Sequence, residues 1–225
     1  MDNKVMLITG ATSGIGKATA IKAAQQGIQL ILTGRRVSLL NELVSEIGKE
    51  NAIAIAADAT QLAELSVVIA QGVQHWGKLD IAFANAGTGI STPGTEMGDP
   101  EEWQQMLAIN INALLWTAKL SLPHLRQQQG HFLLTSSVAG RTITKGSVYG
   151  ASKWFAYGFA MNLAEEMEEW GGRCTTICPG MVNTPFFEQA IDQMLAPEDV
   201  ADAALYAIHA SPRNTVREVF LTPTR

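Results

Sequence analysis

Tyr149 and Lys153, four residues apart in the run YGASK, put a phenol and an ammonium on one face of a helix. A phenol ordinarily titrates at a pKa of about 10, too high for proton exchange near neutrality. An ammonium at about 4 Å, with an effective dielectric near 20, favours the phenolate by about 4 kcal/mol. That is a ceiling of roughly three pKa units. A phenol tuned in this way can protonate a carbonyl oxygen as a hydride arrives, and can remove the proton in reverse. The preceding apolar run ends at Thr135-Ser136-Ser137, where a serine hydroxyl can hold the carbonyl and share oxyanion charge. A Tyr and a Lys at this spacing are also an ordinary surface or core pattern, so their surroundings decide.

A second group of residues has the chemistry of phosphate binding. From Thr9 to Gly16 the chain reads TGATSGIG. Gly10 permits a tight turn, Gly14 lets backbone approach a pyrophosphate, and Gly16 allows close helix–strand contact. The helix that follows aims its N-terminal amides at the same place. A glycine-rich turn in a non-binding sheet protein would look similar. After the next apolar run come Arg35 and Arg36, where an acidic residue would accept the ribose 2′-hydroxyl of NAD. Planar guanidiniums suit a 2′-phosphate, which predicts NADP(H), with Arg35 the chief contact and Arg36 in support. The alternative is two solvated arginines at a helix start. Asp58 can accept from an adenine amino group or cap a helix. Asn85-Ala86-Gly87 can lie flat against a cofactor or form a plain turn.

The elements that must position these residues alternate along the chain. Apolar runs at Lys4–Thr9, Ile28–Thr33, Asn51–Ala57, Leu79–Ala84, His131–Thr135, Cys174–Cys178 and Val216–Thr222 read as short strands. They are apolar on both faces, as expected when helices cover both sides of a sheet. Helical stretches are expected at about 15–26, 36–48, 61–76, 100–127, 148–170 and 197–210. This alternation predicts an α/β, doubly wound parallel sheet with right-handed crossovers in a single domain over 1–225. Ligands in such sheets sit beyond the carboxyl ends of the strands, where the candidate residues cluster.

Composition removes other function classes. Sixteen basic and twenty-one acidic side chains give a net charge of −5, and no basic stripe suits nucleic acid or an anionic membrane surface. No run approaches the roughly 18 apolar residues of a membrane span, and the N-terminus does not read as a signal peptide. Cys174 and Cys178 fit two small core residues, with no second Cys or His pair to make a metal site. A cytoplasmic protein is expected. His131 reads as structural, and His75, His124 and His209 are unclustered.

Taken in order, TGATSGIG, Asp58, Asn85-Ala86-Gly87, Asn110, SSVAG (136–140), YGASK and PGMVNTP (179–185) resemble the short-chain dehydrogenase/reductase family. The resemblance runs from about residue 4 to 222. It implies a Rossmann-type seven-stranded parallel sheet and a catalytic set of Asn110, Ser137, Tyr149 and Lys153. Tyr149 would be the general acid/base. Lys153 would lower the phenol pKa and bind the nicotinamide ribose. Ser137, with Ser136 as a minor alternative, would orient substrate, and Asn110 would anchor a water-mediated proton relay. It also places Thr12, Ser13, Ile15, Pro179, Gly180, Val182 and Thr184 around the cofactor, Thr184 at the nicotinamide carboxamide. A substrate lid is implied at about 184–197, and a homodimer or homotetramer through the helices at 100–127 and 148–170.

These features predict an NADP(H)-dependent reductase of a small or medium ketone or aldehyde, reversible as an alcohol dehydrogenase. A serine or 3-hydroxy-acid dehydrogenase is an alternative, although the lid has no arginine to clamp a carboxylate. An NADPH-sensing regulator without turnover is another, disfavoured by the retention of both Tyr149 and Lys153. The expected substrate wall is Phe186, Phe187, Ile191, Met194 and Leu195, with Ile143 and Trp154 as additions. All of these could instead pack the lid onto the body.

Overall fold

In the computed structural model, which describes residues 3–92, 94–187, 193–211 and 213–224, the apolar runs become seven strands. They are β1 (Val5–Thr9), β2 (Gln29–Gly34), β3 (Ala52–Ala56), β4 (Ile81–Ala84), β5 (His131–Thr135), β6 (Arg173–Pro179) and β7 (Glu218–Leu221). Every pairing is parallel, in the order β3-β2-β1-β4-β5-β6-β7. Strand order therefore reverses between β1 and β4, which opens a crevice above their carboxyl ends. The expected seven-stranded parallel sheet in one Rossmann-like domain is the one found.

Helices cover both faces: α1 (Gly14–Gln25), α2 (Val37–Ile47), α3 (Leu62–Trp76), α4 (Pro100–Leu107), α5 (Ala113–Gln128), α6 (Val148–Glu168) and α7 (Pro197–His209). The period of two along each strand divides the core between the faces. Val5 and Leu7 of β1 join Phe132, Leu134, Leu163 and Met167 on the α3–α5–α6 side. Met6 and Ile8 join Leu40, Leu43, Phe83 and Ile208 on the α1–α2–α7 side. Ala20 and Ala23 of α1 meet Ala204 of α7 in that second layer, where small side chains let the two helices approach the sheet together. Among the described residues, no helix is long and apolar enough to cross a membrane.

One expected element differs. The stretch 100–127 is not a continuous α-helix: Ala108–Asn112 is a π-helical turn between α4 and α5. A π turn inserts one extra residue without breaking the apolar face, so periodicity does not reveal it. Asn110 sits in this turn and is buried. Of the expected lid at 184–197, residues 188–192, Ile191 included, lie outside the described residues. The base of the excursion is pinned, because Asn183 donates its amide N–H to the Leu195 carbonyl and Leu195 donates to Met181.

Candidate active site

The glycine turn follows β1 and leads into α1. Gly10 and Gly14 both have positive φ, 66° and 52°, which favours glycine. A Cβ on Gly16 would lie 2.4 Å from the Gly10 carbonyl oxygen, so only glycine lets α1 start this close to β1. Gly14 faces Thr184, whose methyl would sit 2.8 Å from a Cβ there. Ser13 is the N-cap of α1, yet its side chain accepts no capping hydrogen bond. The first-turn amides of α1 thus keep donors free for an anion. These features fit the pyrophosphate of a dinucleotide.

A cleft of about 680 Å³ runs over the crevice. Its walls include Gly10, Thr12, Ser13, Gly14 and Ile15 from the turn, and Arg35, Arg36 and Asp58 after β2 and β3. Asn85, Ala86 and Gly87 follow β4 on the same wall, and Ser137, Tyr149, Lys153, Pro179, Gly180, Val182 and Thr184 complete it. Gly16 and Asn110 do not line the cleft; they support residues that do. The two ends, after β2 and after β5, are three strand spacings apart, about 14 Å.

At one end the two arginines differ. Arg36 donates through Nη2 to Thr12 Oγ1 at 2.6 Å and to Ser13 Oγ at 2.8 Å, and through Nε to Thr12 Oγ1 at 3.2 Å. Its guanidinium is held against the glycine turn. Arg35 is exposed and makes no hydrogen bond among the described residues. Asp58 Oδ1 accepts from the amide and hydroxyl of Thr60, at 2.9 and 2.8 Å, which leaves its other oxygen for a ligand. Asn85 ties strands together: its Nδ2 donates to the carbonyls of Thr9 and Gly10, and its Oδ1 accepts from Thr135 Oγ1 at 3.1 Å.

The other end is organised by α6. Ser147 caps the helix, accepting from Gly150 N at 2.8 Å, so Tyr149 and Lys153 occupy its first turns. Lys153 is buried and donates to the Thr135 carbonyl at 3.1 Å. Its Nζ lies 5.8 Å from the Tyr149 ring centroid. Asn110 Oδ1 accepts from Thr88 N at 2.9 Å, and its Nδ2 donates to Thr88 O at 2.9 Å and Ser152 Oγ at 3.1 Å. Ser152 in turn donates to the Tyr149 carbonyl at 2.7 Å. A Cβ on Gly87 would lie 3.4 Å from both Asn110 Oδ1 and Lys153 Nζ, which marks where the two groups converge.

The adjacent serines separate by their partners. Ser136 is buried and donates to the Lys153 carbonyl at 2.8 Å, a bond that fixes α6 on β5. Ser137 accepts from Ala139 N and faces the Tyr149 phenol. Of the two, Ser137 is the hydroxyl beside the phenol.

Electrostatics depart from expectation. Burial pushes the Tyr149 phenol above its ordinary value, and the facing Ser137 hydroxyl only partly opposes this. Burial also pulls the Lys153 ammonium down to about 8, against a smaller contrary influence from Cys178. The expected net lowering of the phenol is therefore not found: burial outweighs it and the direction is upward. Lys153 also spends a donor on the Thr135 carbonyl. At pH 7 the phenol is fully protonated and the amine mostly charged.

Other expectations are corrected by position. Ile143 is 97% exposed, and Trp154 donates to the Thr142 carbonyl; neither lines the cleft. Leu195 packs with Ile177, Val182 and Val200, and Met194 is also absent from the cleft wall. Phe186 and Phe187 do line it. His131 is buried, shares a 2.7 Å hydrogen bond with Thr175 Oγ1, and is held neutral by burial, its pKa at about 3. Cys174 and Cys178 are buried free thiols, pushed up to about 12 and about 11 by burial. Among the described residues there is no cluster suited to a metal ion. Sequence reasoning missed Thr88 and Ser152, and gave Thr135 no role beyond ending its strand. Ser152 alone had a signal, since it lies one residue before Lys153 and one turn after Tyr149.

The short-chain dehydrogenase family model matches residues 4–195. The chain belongs to that family. An uncharacterised oxidoreductase of Staphylococcus saprophyticus is 35% identical to this short-chain dehydrogenase, over 99% of this chain and 98% of its own. Among solved structures, a 3-ketoacyl-(acyl-carrier-protein) reductase of Brucella melitensis complexed with NADH superimposes with a TM-score of 0.91 at 25% identity, covering 98% of this chain and 96% of its own. A serine dehydrogenase complexed with NADP+ gives 0.90 at 28%, covering 97% and 94%. The protein is accordingly an oxidoreductase, and these two structural neighbours hold nicotinamide coenzymes, one NADH and the other NADP+.

Proposed function

We propose that this short-chain dehydrogenase uses NADP(H) to interconvert a ketone or aldehyde and its alcohol: carbonyl + NADPH + H⁺ gives alcohol + NADP⁺. The observation that carries the reading is the meeting of Tyr149, Ser137 and Lys153 at the end of a cleft that begins at a glycine turn and two arginines. When bound, the coenzyme supplies the hydride to the carbonyl carbon. Tyr149 donates its phenolic proton to the carbonyl oxygen, and Ser137 donates a hydrogen bond to that oxygen. Lys153, fixed by Thr135, holds positive charge beside the phenolate that remains and offers donors to the nicotinamide ribose. Asn110 keeps Thr88 and, through Ser152, the first turn of α6 in place. Its role in a proton relay belongs to the same proposal. NADPH consumption matched by alcohol formation across a panel of ketones and aldehydes tests the reading; no carbonyl-dependent consumption with either coenzyme overturns it.

A pH profile follows from the directions of the two shifts. A phenol held above its ordinary value stays loaded with its proton through neutrality, so reduction does not lose its acid there. Lys153 loses its charge as pH rises through about 8. The kcat/KM for NADPH, which reports groups in the free enzyme, should therefore be level below that pH and fall above it. In Lys153→Met the descending limb near 8 should vanish together with most of the activity. A wild-type profile flat to pH 10 would contradict the assignment.

A further inference from the structure

We propose that the reactive end of the cleft accepts a neutral carbonyl compound with an apolar, preferably aryl, substituent, and discriminates against substrates that carry a carboxylate or phosphate. Phe186 is the specificity-determining residue. The inference rests on the reductase reading and adds the chemical class of its substrate.

Charge is the first argument. The charged residues on the cleft wall are Arg35, Arg36, Asp58 and Lys153. The first three follow β2 and β3, at the far end from Tyr149. Lys153 is buried and spends a donor on the Thr135 carbonyl. Lys145, in the loop before Tyr149, is exposed and does not line the cleft. The described residues 184–187 and 193–197, TPFF and QMLAP, contain no Lys, Arg or His. Residues 88–99, TGISTPGTEMGD, contain no base and two acids, Glu96 and Asp99. Arg141 is ion-paired with Glu218 and lies over the Tyr157 ring at 4.3 Å, so it is committed elsewhere. A substrate anion would be desolvated here with no cation on the adjoining wall but Lys153, which is already bonded to Thr135.

Shape is the second. The Phe186 ring is tilted at 55° to Tyr149 with centroids 5.7 Å apart, and Phe187 meets it edge-on at 5.0 Å. Gly89 lets Phe186 lie where it does: a Cβ there would be 2.6 Å from Phe186 Cζ. Phe186 nonetheless remains 45% exposed while lining the cleft. Ile109, Val138 and Met181 continue the apolar wall. A ring face left open beside the proton donor is complementary to an aryl or alkyl group on the carbonyl carbon.

The test compares acetophenone, 4-acetylbenzoate and methyl 4-acetylbenzoate as substrates of the full chain with NADPH. The carboxylate should show a kcat/KM roughly 100-fold or more below the ketone, the scale of leaving a desolvated charge unpaired. The methyl ester, of similar size, should recover most of the loss. Phe186→Arg should raise the relative kcat/KM of the carboxylate, and Phe186→Ala should lower that of acetophenone. Reduction of 4-acetylbenzoate as efficiently as its ester overturns the proposal. Calorimetry of the same ketones on NADP+-loaded protein separates the two readings. Neutral ketones that bind, with the carboxylate excluded but none reduced, defeat the reductase reading and uphold the charge selection. Equal binding of charged and neutral ketones, or binding of neither, defeats the charge selection.

Discussion

Tyr149→Phe is expected to lower kcat/KM for carbonyl reduction by about 10²–10⁴-fold, the range contributed by a positioned general acid, with NADPH affinity almost unchanged. The substitution removes one oxygen and keeps the ring that touches Phe186, so packing is retained and the proton source is lost. Water reaching the carbonyl could replace the phenol only poorly, because burial dominates the local electrostatics of both Tyr149 and Lys153. Steady-state rates, with coenzyme Kd from NADPH fluorescence, separate chemistry from binding. A Phe variant within a few-fold of wild type would remove Tyr149 from the mechanism. A variant that loses coenzyme binding in step with rate would give the residue a structural role.

Arg35→Ala is expected to weaken NADPH by roughly 10- to 150-fold and to leave NADH nearly unchanged. That range corresponds to the loss of charge-assisted hydrogen bonds, about 1.5–3 kcal/mol. The geometry sharpens the contrast with its neighbour. Arg36 is bonded to Thr12 and Ser13 of the glycine turn, so Arg36→Ala should loosen that turn and weaken both coenzymes together. Arg35 has no such bond among the described residues, and its donors are available to a 2′-phosphate. Dissociation constants for both coenzymes on both variants decide the matter. Equal losses of NADPH and NADH on Arg35→Ala would refute the assignment of NADP(H).

Much of the fold and of the site is legible in the amino-acid sequence. Strands buried on both faces write themselves as continuous apolar runs, which is why all seven lie close to their expected positions. The carboxyl ends of parallel strands bring TGATSGIG, Asn85 and Ser137 into one crevice, so order along the chain becomes neighbourhood in space. What stays hidden is whatever depends on local geometry. The π turn at Ala108–Asn112 adds a residue that the apolar pattern absorbs. Proximity in sequence misassigns Ile143, Trp154 and Leu195 to the substrate wall, because short-range position says nothing about which way a loop turns. A helical spacing of four implies a close amine and hence a lowered phenol pKa. The actual direction is set by burial, which a spacing does not encode. The network of Asn110, Thr88 and Ser152 joins three separate segments through ordinary polar residues, and only their meeting makes them notable.

The most direct test of the central claim follows the two hydrogens. NADPH deuterated at C4 of the nicotinamide, incubated with wild-type protein and a neutral ketone, should deliver deuterium from one face of the ring to the carbonyl carbon, while the hydroxyl proton comes from solvent by way of Tyr149. Tyr149→Phe should abolish most of that transfer with coenzyme still bound. Alcohol product without deuterium at carbon, or undiminished transfer in the Phe variant, would contradict the account.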